Sequence, residues 1–310
     1  MRFTAFVRRL VLFGFLGILF PGVASVATSF RVATYNLENY LDAPAGTRPV
    51  KSPEAKAKIR ESLLALRADV VALEEMGGTN ALLELCASLK AAGIDYPHWD
   101  YITGSDTNIH VVVLSRFPIT ARRPHTTDSF LLFGQRFHVS RGFLEVDIQV
   151  TPSYSFTLLA THLKSRRPVP EADEAELREQ EALLFREKID NCFKANPAVN
   201  LIVLGDFNDT KDSRSTRSLI GRGRTALIDT RPAERNGDDQ LNPNPRYAPR
   251  NITWTYHYGK EDTYSRIDFI LLSQSMAKKW NQKETYVLTL PNWGLGSDHR
   301  PIVAGFTIDD

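Results

Sequence analysis

The sequence contains little cysteine, and this scarcity excludes several kinds of site. Cys86 and Cys192 are its two cysteines in 310 residues, and neither has a neighbouring cysteine or histidine at metal-ligand spacing. A cysteine-based metal site and a thiol nucleophile are therefore not expected. We predict two buried thiols rather than a disulfide, because a pair this sparse most simply fills apolar space.

Two motifs of phosphoryl and acyl transfer are also missing. The chain has no G-x-x-x-x-G-K-[ST] loop to cradle the phosphates of a nucleotide, and no G-x-S-x-G turn to present a nucleophilic serine. Their absence argues against phosphoryl transfer from ATP and against serine-esterase chemistry.

Long apolar runs are confined to the N-terminus. Three arginines precede the apolar residues 10–20, and small residues follow up to Ala27. This layout predicts a secretory signal peptide over residues 1–27, cleaved after Ser25 or Ala27, although a retained anchor is the alternative. Cleavage would leave no stable membrane span and a secreted or periplasmic protein.

The chain also lacks an excess of either charge. Residues 1–27 hold three of the 38 lysines and arginines and none of the 36 acids, so the remainder has a formal net charge of −1. Overall basicity therefore gives no indication of nucleic-acid binding. Local basic clusters at residues 164–167 and 211–224 could follow a phosphate backbone, but a solvated charged surface is the commoner explanation.

Short apolar strands and a few amphipathic helices follow the N-terminal segment. Because strands outnumber helices and do not alternate with them strictly, we predict mixed sheets packed on each other with helices outside. Residues 238–249, rich in proline, are predicted to be a surface loop. The predicted helices are 54–66, 79–92 and 173–193; the predicted strands are 30–35, 69–73, 110–115, 144–150, 156–161, 201–204, 267–272 and 302–306.

The most informative of these strands ends in a carboxylate and an amide. The apolar run 201–204 stops at Gly205, after which come Asp206, Phe207 and Asn208. An Asp and an Asn two residues apart can hold a water or a hard metal ion and also donate to an anionic substrate, which suits hydrolysis of a phosphate ester. The alternative is a turn rich in Asp and Asn that merely closes the strand.

Similar polar residues follow other strands of the chain. One such junction is weak support for a site, but six would rarely arise from strand termination alone. The other five segments are YNLEN from Tyr35, DVVALEE from Asp69, ATHLKS from Ala160, SRIDFILLS from Ser265 and GSDHRP from Gly296.

Taken in order with LGDFND, these segments resemble the endonuclease/exonuclease/phosphatase superfamily, which includes deoxyribonucleases and sphingomyelinases. The similarity extends over about residues 30–306. It implies an α/β fold, a four-layer sandwich with two mixed β-sheets face to face and helices on both sides. It also implies a single catalytic domain, residues 28–310, and a monomer.

The resemblance further implies metal-dependent hydrolysis of a phosphoric ester. Glu75 would be the principal Mg²⁺ ligand, with Asn36 close by and Asp298 as a second carboxylate; Mn²⁺ or Ca²⁺ could replace Mg²⁺. Glu74 is then the less favoured ligand, and Glu38 is either a supporting group or an ordinary loop acid.

The same match implies the catalytic roles. Asp206 would orient and deprotonate the attacking water, and Asn208 would donate to a phosphate oxygen. Asp268 would hold His299 in its protonated form beside the phosphate. His162 would protonate the leaving oxygen or stabilise the transition state, unless it is only a core histidine. Lys164 and Arg166 would bind substrate.

The substrate is the least determined feature. Export and clustered arginines, including Arg122 and Arg123, favour an endonuclease acting on nucleic acid. A lipid phosphodiesterase would need a protruding apolar hairpin, and we expect the single candidate, residues 130–133, to be a buried strand or turn. A small-molecule phosphatase and, from another class, an inactive binding module are the remaining alternatives.

Overall fold

The computed structural model describes residues 27–237 and 251–309. The predicted signal peptide, except Ala27, and the predicted loop 238–249 lie outside the described residues. The helices of the described part are α1 (Pro53–Leu66), α2 (Thr79–Ala91), α3 (Glu174–Ala195), α4 (Arg214–Ile220) and α5 (Gln274–Ala277). The strands are β1 (Ala27–Tyr40), β2 (Val70–Met76), β3 (His98–Ile102), β4 (His110–Ser115), β5 (Ile119–Arg122), β6 (Ser129–Leu132), β7 (Gln135–His138), β8 (Phe143–Thr151), β9 (Tyr154–His162), β10 (Leu201–Asp206), β11 (Ile228–Asp229), β12 (Tyr256–Tyr258), β13 (Thr263–Ser265), β14 (Asp268–Leu272), β15 (Trp280–Val287) and β16 (Ile302–Asp309).

Two six-stranded sheets form the centre of the protein. The first has the order β15-β16-β1-β2-β4-β3, and the second has the order β11-β14-β10-β9-β8-β5. Both are mixed, since β1 pairs parallel with β2 and antiparallel with β16, while β10 pairs parallel with β9 and antiparallel with β14. β6-β7 and β12-β13 are separate two-stranded hairpins.

Three apolar layers hold these elements together. The largest lies between the sheets and includes Phe30, which stacks on Phe156 and Phe306. A second layer packs α1 and α2 on the first sheet, and a third packs α3 and α4 on the second sheet. The predicted α/β sandwich of two mixed sheets flanked by helices is therefore confirmed.

The helices begin where local chemistry favours it. The Ser52 side chain accepts a hydrogen bond from the Ala55 N–H at the start of α1, and Pro53 occupies the first helical position, where its missing N–H costs nothing. Asp173 caps α3 in the same way. The three helices predicted from apolar periodicity agree with α1, α2 and α3 to within two residues, and side-chain caps fix the starts of α1 and α3.

Residues 130–133 form a strand and a turn, but the prediction that this segment is buried was wrong for two of its side chains. Phe130 is buried and stacks on Phe137, but Leu131 and Phe133 are 63% and 76% exposed. Strands β6 and β7 form a tight hairpin whose turn, Phe133 and Gly134, has positive φ angles, so alternation along β6 points Leu131 outward. The hairpin leads into β8 at the end of the second sheet where β9 terminates, because Phe143 pairs with Thr161.

The two cysteines are free, as predicted, but half-buried rather than fully buried. Burial raises the pKa of the Cys86 thiol to about 11 and that of Cys192 to about 12, so both are protonated near neutral pH. Across residues 27–237 and 251–309, no helix combines the length and apolar character needed to cross a membrane.

Candidate active site

Strand register brings three predicted catalytic side chains together. Asp206, at the end of β10, pairs with Asp268 on β14 and with His162 on β9. Residues two positions away on each strand belong to the core between the sheets, so alternation points all three side chains toward the first sheet. Three segments separated by tens of residues thus converge at one end of the sandwich.

Gly205 permits this close arrangement. Its φ of 131° lies in a region that other residues rarely adopt, and a Cβ there would overlap the carbonyl oxygen of Thr161 on the neighbouring strand. The glycine before Asp206 is therefore a requirement of the β9-β10 pairing.

Asp268 and His299 form a buried ion pair. The Oδ2 atom of Asp268 lies 2.9 Å from Nδ1 of His299 and also accepts a 2.6 Å hydrogen bond from the Thr255 hydroxyl. The other ring nitrogen of His299, Nε2, lies 3.7 Å from Asp206 and 3.8 Å from Asp298. Asp268 thus fixes which edge of the imidazole faces the site.

The two histidines differ in protonation. Burial by itself lowers the pKa of His299, but the charges of Asp268 and Asp206 outweigh it and hold that pKa well above 6.5. Burial, followed by the positive charges of Arg141 and His299, holds the pKa of His162 well below 6.5. His299 is the cationic member and His162 the neutral one, which disfavours His162 as the acid that protonates a leaving oxygen.

Asp206 lies between them. Its carboxylate accepts hydrogen bonds from the Asn208 backbone N–H at 2.7 Å and from Nδ2 of Asn36 at 2.9 Å, and it lies 3.5 Å from Nε2 of His162. Burial raises the pKa of Asp206 to about 7, despite the opposing charge of His299. A carboxylate with a pKa near neutrality is suited to accept a proton from water.

Three carboxylates lie on the more open side of the site. Glu75 has a left-handed φ of 60°, and its side chain accepts from the Asn39 N–H at 2.9 Å and lies 3.9 Å from His162. The pKa of Asp298 is raised to about 6. Burial is the largest cause; the charge of His299 opposes it, and the charges of Glu38 and Glu75 raise the pKa further. The acids therefore repel one another, and Lys51 lies beside Glu38 as a counter-charge.

This acidic group fits a hard divalent cation. Carboxylate oxygens are the ligands that Mg²⁺, Mn²⁺ and Ca²⁺ prefer, and a cation would relieve the mutual repulsion of Glu38, Glu75 and Asp298. Asn36 was predicted to lie with the metal ligands. Its Nδ2 donates a hydrogen bond to Asp206, and its Oδ1 accepts one from the Glu38 N–H. It links the acidic group to Asp206.

Glu74 is separated from this group. It is fully buried between the sheets, where Thr34 donates a 2.6 Å hydrogen bond to it, and burial raises its pKa well above 4.5. Side chains of consecutive strand residues point to opposite faces, so the two acids enter different environments, and Glu75, with its left-handed backbone, lies beside His162.

A second arrangement of possible ligands also exists. Among the residues described, one group of three has ligand atoms within 4.8 Å of one another, namely Asp206, Asp268 and His299. This buried group could hold a metal ion. However, the Asp268 oxygen nearest the ring is already bonded to His299 and Thr255, so an ion there would have to replace those hydrogen bonds.

The two predicted substrate-binding residues differ in position. Lys164 donates through Nζ to the carbonyls of Ser165 and Arg167, so its charge stabilises a loop rather than facing the open site. Arg166 is exposed, donates to the carbonyl of Asn208 at 3.0 Å, lies 3.6 Å from the Asp209 carboxylate and lines a large cleft beside the site. Asn208 itself donates to the Leu163 carbonyl at 3.0 Å.

Other arginines noted in the sequence are paired with acids. Arg122 lies beside Asp100, and Arg123 forms ion pairs with Glu145 and Asp147 at the edge of the second sheet. In α4, Arg214 and Arg217 lie near acids on the solvent side. These arginines therefore form charged surface.

Three contributors to the site were missed in the sequence. Thr255 binds both the Asp268 carboxylate and its backbone N–H. Ser297 donates to the carbonyl of Asn36 at 2.7 Å and accepts from the His299 N–H, joining two sequence-distant segments. Arg141 is buried and lowers the pKa of His162. Thr255 lies between Trp254 and Tyr256 in the sequence, and no pattern indicated Arg141.

A cleft of about 1160 Å³ opens beside these residues. Its walls come from the 165–168 loop, the β12-β13 hairpin and the 293–298 segment, with Asn208 and Asp298 at the end near the histidines. The fold and the site together define a hydrolase of the α/β sandwich class, with acids on one side and a protonated histidine on the other.

The comparisons agree with this class. Residues 33–299 match the sequence model of the Endonuclease/Exonuclease/phosphatase family, and the chain belongs to that family, whose enzymes hydrolyse phosphoric esters. The resemblance inferred from the six strand-end segments is thereby confirmed. No curated protein gives a significant match.

Solved structures of this fold include proteins with different substrates. The human nocturnin catalytic domain, with a bound sulfate anion, has a TM-score of 0.61 at 16% identity, covering 91% of this chain and 97% of that one. Sphingomyelinase C from Streptomyces griseocarneus has a TM-score of 0.60 at 19% identity, covering 90% and 99%. The 3′ phosphatase NExo from Neisseria, bound to a product DNA hairpin, has a TM-score of 0.58 at 16% identity, covering 89% and 99%. At these identities the likeness establishes the fold alone.

Proposed function

We propose that this protein is a divalent-metal-dependent phosphodiesterase that cleaves nucleic acid, most specifically an exported endonuclease. The observation that carries the hydrolytic part is the position of Asp206, 3.5 Å from a neutral histidine and 3.7 Å from a protonated one. This arrangement combines an acceptor for the proton of water with a fixed positive charge for phosphate.

The metal in this proposal is held by the open acids. Glu75 and Asp298 would hold Mg²⁺, with Glu38 and Asn36 supporting them, and the ion would supply positive charge to a phosphate oxygen. We assign the ion to these acids rather than to Asp206, Asp268 and His299, because the Asp268–His299 hydrogen bond gives that group a different role.

The protein's own residues supply the remaining chemistry. Asp206 binds the attacking water and accepts its proton, since its pKa of about 7 allows both protonation states near neutrality. His299, kept cationic by Asp268, donates from Nε2 to a non-bridging phosphate oxygen. His162, being neutral, orients water or phosphate through Nε2 without delivering a net charge.

Nucleic acid is favoured as the substrate by the cleft. Its volume of about 1160 Å³ exceeds the roughly 300–1,000 Å³ of ordinary small-ligand sites, and Arg166 and Arg167 line it beside Asn208. Exposed arginines beside a phosphate-cleaving centre are suited to a polyanion. Export follows from the N-terminal sequence pattern, and we keep the expectation of a monomer.

The test is cleavage of circular DNA and of RNA with Mg²⁺, repeated in EDTA and with His299→Ala. We expect nicking that requires metal and is lost in His299→Ala. His98→Ala is the matched control, because His98 lies on the edge strand β3 of the first sheet, away from the site. Absence of cleavage with Mg²⁺, Mn²⁺ and Ca²⁺ alike would refute the nuclease.

A lipid phosphodiesterase is the second candidate, and the β6-β7 hairpin supports it. Leu131 and Phe133 protrude at the end of the second sheet where His162 lies, and such a tip could enter a lipid surface. This exposure is the feature that the sequence predicted to be absent.

Phosphocholine release from sphingomyelin vesicles tests this candidate. If lipid is the substrate, Leu131→Ser/Phe133→Ser should slow hydrolysis of vesicles while leaving that of a short-chain soluble analogue unchanged. Vesicle hydrolysis that exceeds nucleic-acid cleavage would replace the nuclease proposal; no phosphocholine release would eliminate the lipid one.

A further inference from the structure

The β12-β13 hairpin presents an aromatic face to the cleft. Tyr256 and Tyr258 alternate with His257 along β12, so the two tyrosines share one face, and both line the cleft. The Tyr256 ring lies 4.8 Å from that of His299, and the Tyr258 ring lies 6.4 Å further on, inclined by 27°. An aromatic strip therefore runs outward from the phosphate-binding histidine.

Basic residues also line this cleft, together with the acids Glu38, Glu261 and Asp298. Arg166 and Arg167 are exposed there, and Lys260 lies at the tip of the hairpin. Arg166 is anchored on the carbonyl of Asn208, which fixes its guanidinium close to the catalytic end. The cleft is thus lined both by aromatic rings, beginning beside His299, and by exposed arginines, beginning beside Asn208.

We propose that this cleft selects single-stranded nucleic acid, with a base next to the scissile phosphate stacked on Tyr258 and the adjoining phosphate beside Arg166 and Arg167. This inference rests on the proposed nuclease function and specifies its substrate. Aromatic rings beside a basic track bind single strands without strong sequence preference, because every base has a π-face and every linkage has a charge.

The position of the aromatic rings favours single-stranded over double-stranded nucleic acid. In a duplex both faces of a base are already stacked on neighbouring bases, so Tyr258 could stack only on a base that has left the helix. A single strand meets this requirement without the cost of unpairing. An aromatic strip whose outer ring, Tyr258, is 36% exposed therefore favours single strands over duplex.

The hairpin itself offers a matched control. Tyr264 pairs with His257 on β13 and is 53% exposed, but it lies on the other face, where it stacks on His257 and contacts Trp254. Tyr264→Ala removes an exposed ring of the same chemistry from the same hairpin without altering the strip beside His299.

The experiment measures binding and cleavage separately. Fluorescence anisotropy in EDTA gives the affinity of wild type, Tyr258→Ala, Tyr258→Phe and Tyr264→Ala for a labelled single-stranded oligonucleotide, for its duplex and for a strand made of abasic residues. Cleavage of the same substrates with Mg²⁺ gives kcat/KM.

We expect Tyr258→Ala to weaken single-strand binding and kcat/KM by roughly 5- to 150-fold, the size of one base-aromatic stack. Tyr258→Phe should retain binding, and Tyr264→Ala should match wild type. On the abasic strand Tyr258→Ala should bind nearly as tightly as wild type, because neither protein has a base to stack on.

Two results would overturn the inference: a Tyr258→Ala variant that equals wild type on every substrate, or duplex bound and cleaved as well as single strand. Single-strand binding that depends on Tyr258 without any cleavage would instead refute the proposed nuclease function and leave the binding cleft standing. The two failures are therefore distinguishable.

Discussion

The two halves of the active site are built in opposite ways. On the side of the first sheet, Glu75 and Asp298 are 18% and 37% exposed, whereas on the side of the second sheet His162 and Asp206 are each 1% exposed. Asp298 and His299 are consecutive in sequence, yet the first belongs to the open acidic half and the second to the buried half.

This difference separates two kinds of chemistry. Repelling carboxylates that remain near water can exchange a cation readily, because the ion's hydration shell is lost only in part. Buried groups feel each other strongly, so a single hydrogen-bonded partner can set the protonation state of a histidine. Burial therefore suits the groups that move protons, and exposure suits those that hold the metal.

Asp206→Asn should have the largest effect, because it removes the proton acceptor of the buried half while keeping the shape of the side chain. We expect kcat to fall about 10²- to 10⁴-fold, with no rescue by excess metal. Asp212→Asn, at an exposed acid on the following turn, is the control. A full recovery of Asp206→Asn at high Mg²⁺ would show that Asp206 instead belongs to the metal half.

The next largest effect should be the pH dependence of the rate, which is set by the buried half of the site. Asp206 must be ionised to accept a proton, and its pKa is raised to about 7, so kcat/KM should fall tenfold per pH unit below about 7. The raised pKa has the reverse consequence for stability. The contribution of Asp206 to the free energy of unfolding is complete below its ordinary pKa of 3.8 and is lost as pH rises through about 7.

Rates and denaturant unfolding measured between pH 5 and 8 check both statements. Asp206→Asn should unfold with a weaker dependence on pH than wild type. A wild-type rate that stays level from pH 8 to pH 5 would contradict the assignment of Asp206 as the base.

Glu75→Gln should affect the open half and spare the buried one. Loss of one carboxylate should raise the Mg²⁺ concentration for half-maximal activity by about 10- to 100-fold, with much of the rate restored at saturating metal. Glu61→Gln, at an exposed acid of α1, is the control. An equal loss at every metal concentration would place Glu75 in the chemical step instead.

Lys51→Met should have the smallest effect and the opposite sign. The Lys51 ammonium lies 3.3 Å from the Glu38 carboxylate and competes with a cation for the acids. Its removal should lower the Mg²⁺ concentration for half-maximal activity by about 1.4- to 5-fold, because a partly exposed ion pair contributes roughly 0.2–1 kcal/mol. Titrations at low and high salt, with Lys211→Met as control, measure it; a higher metal requirement would reverse our interpretation.

Much of the local structure could be predicted from the sequence. The three long helices and the central strands follow from apolar periodicity and from caps such as Ser52 and Asp173. Asp206, Asp268, His162 and His299 were recognisable because each lies at or near one end of an apolar strand in a segment that resembles the family, and the structure brings all four together.

Other features depend on contacts that no local pattern encodes. Glu75 adopts a left-handed φ that its residue type does not predict, and the opposite protonation of the two histidines depends on which charges surround each ring. Arg141 and Ser297 reach the site from loops whose paths are set by packing. The exposure of Phe133 was missed because a short strand gives too few residues to define its inner face.

Residue type and spacing were enough to predict the central strands, the three long helices, the family and the set of acids, amides and histidines that the chemistry requires. Folding sets which of these groups are dry and which are open, which histidine is charged, and that two tyrosines and two arginines line one cleft. Burial and electrostatic environment are properties of neighbours in space, and folding brings those neighbours from distant parts of the chain.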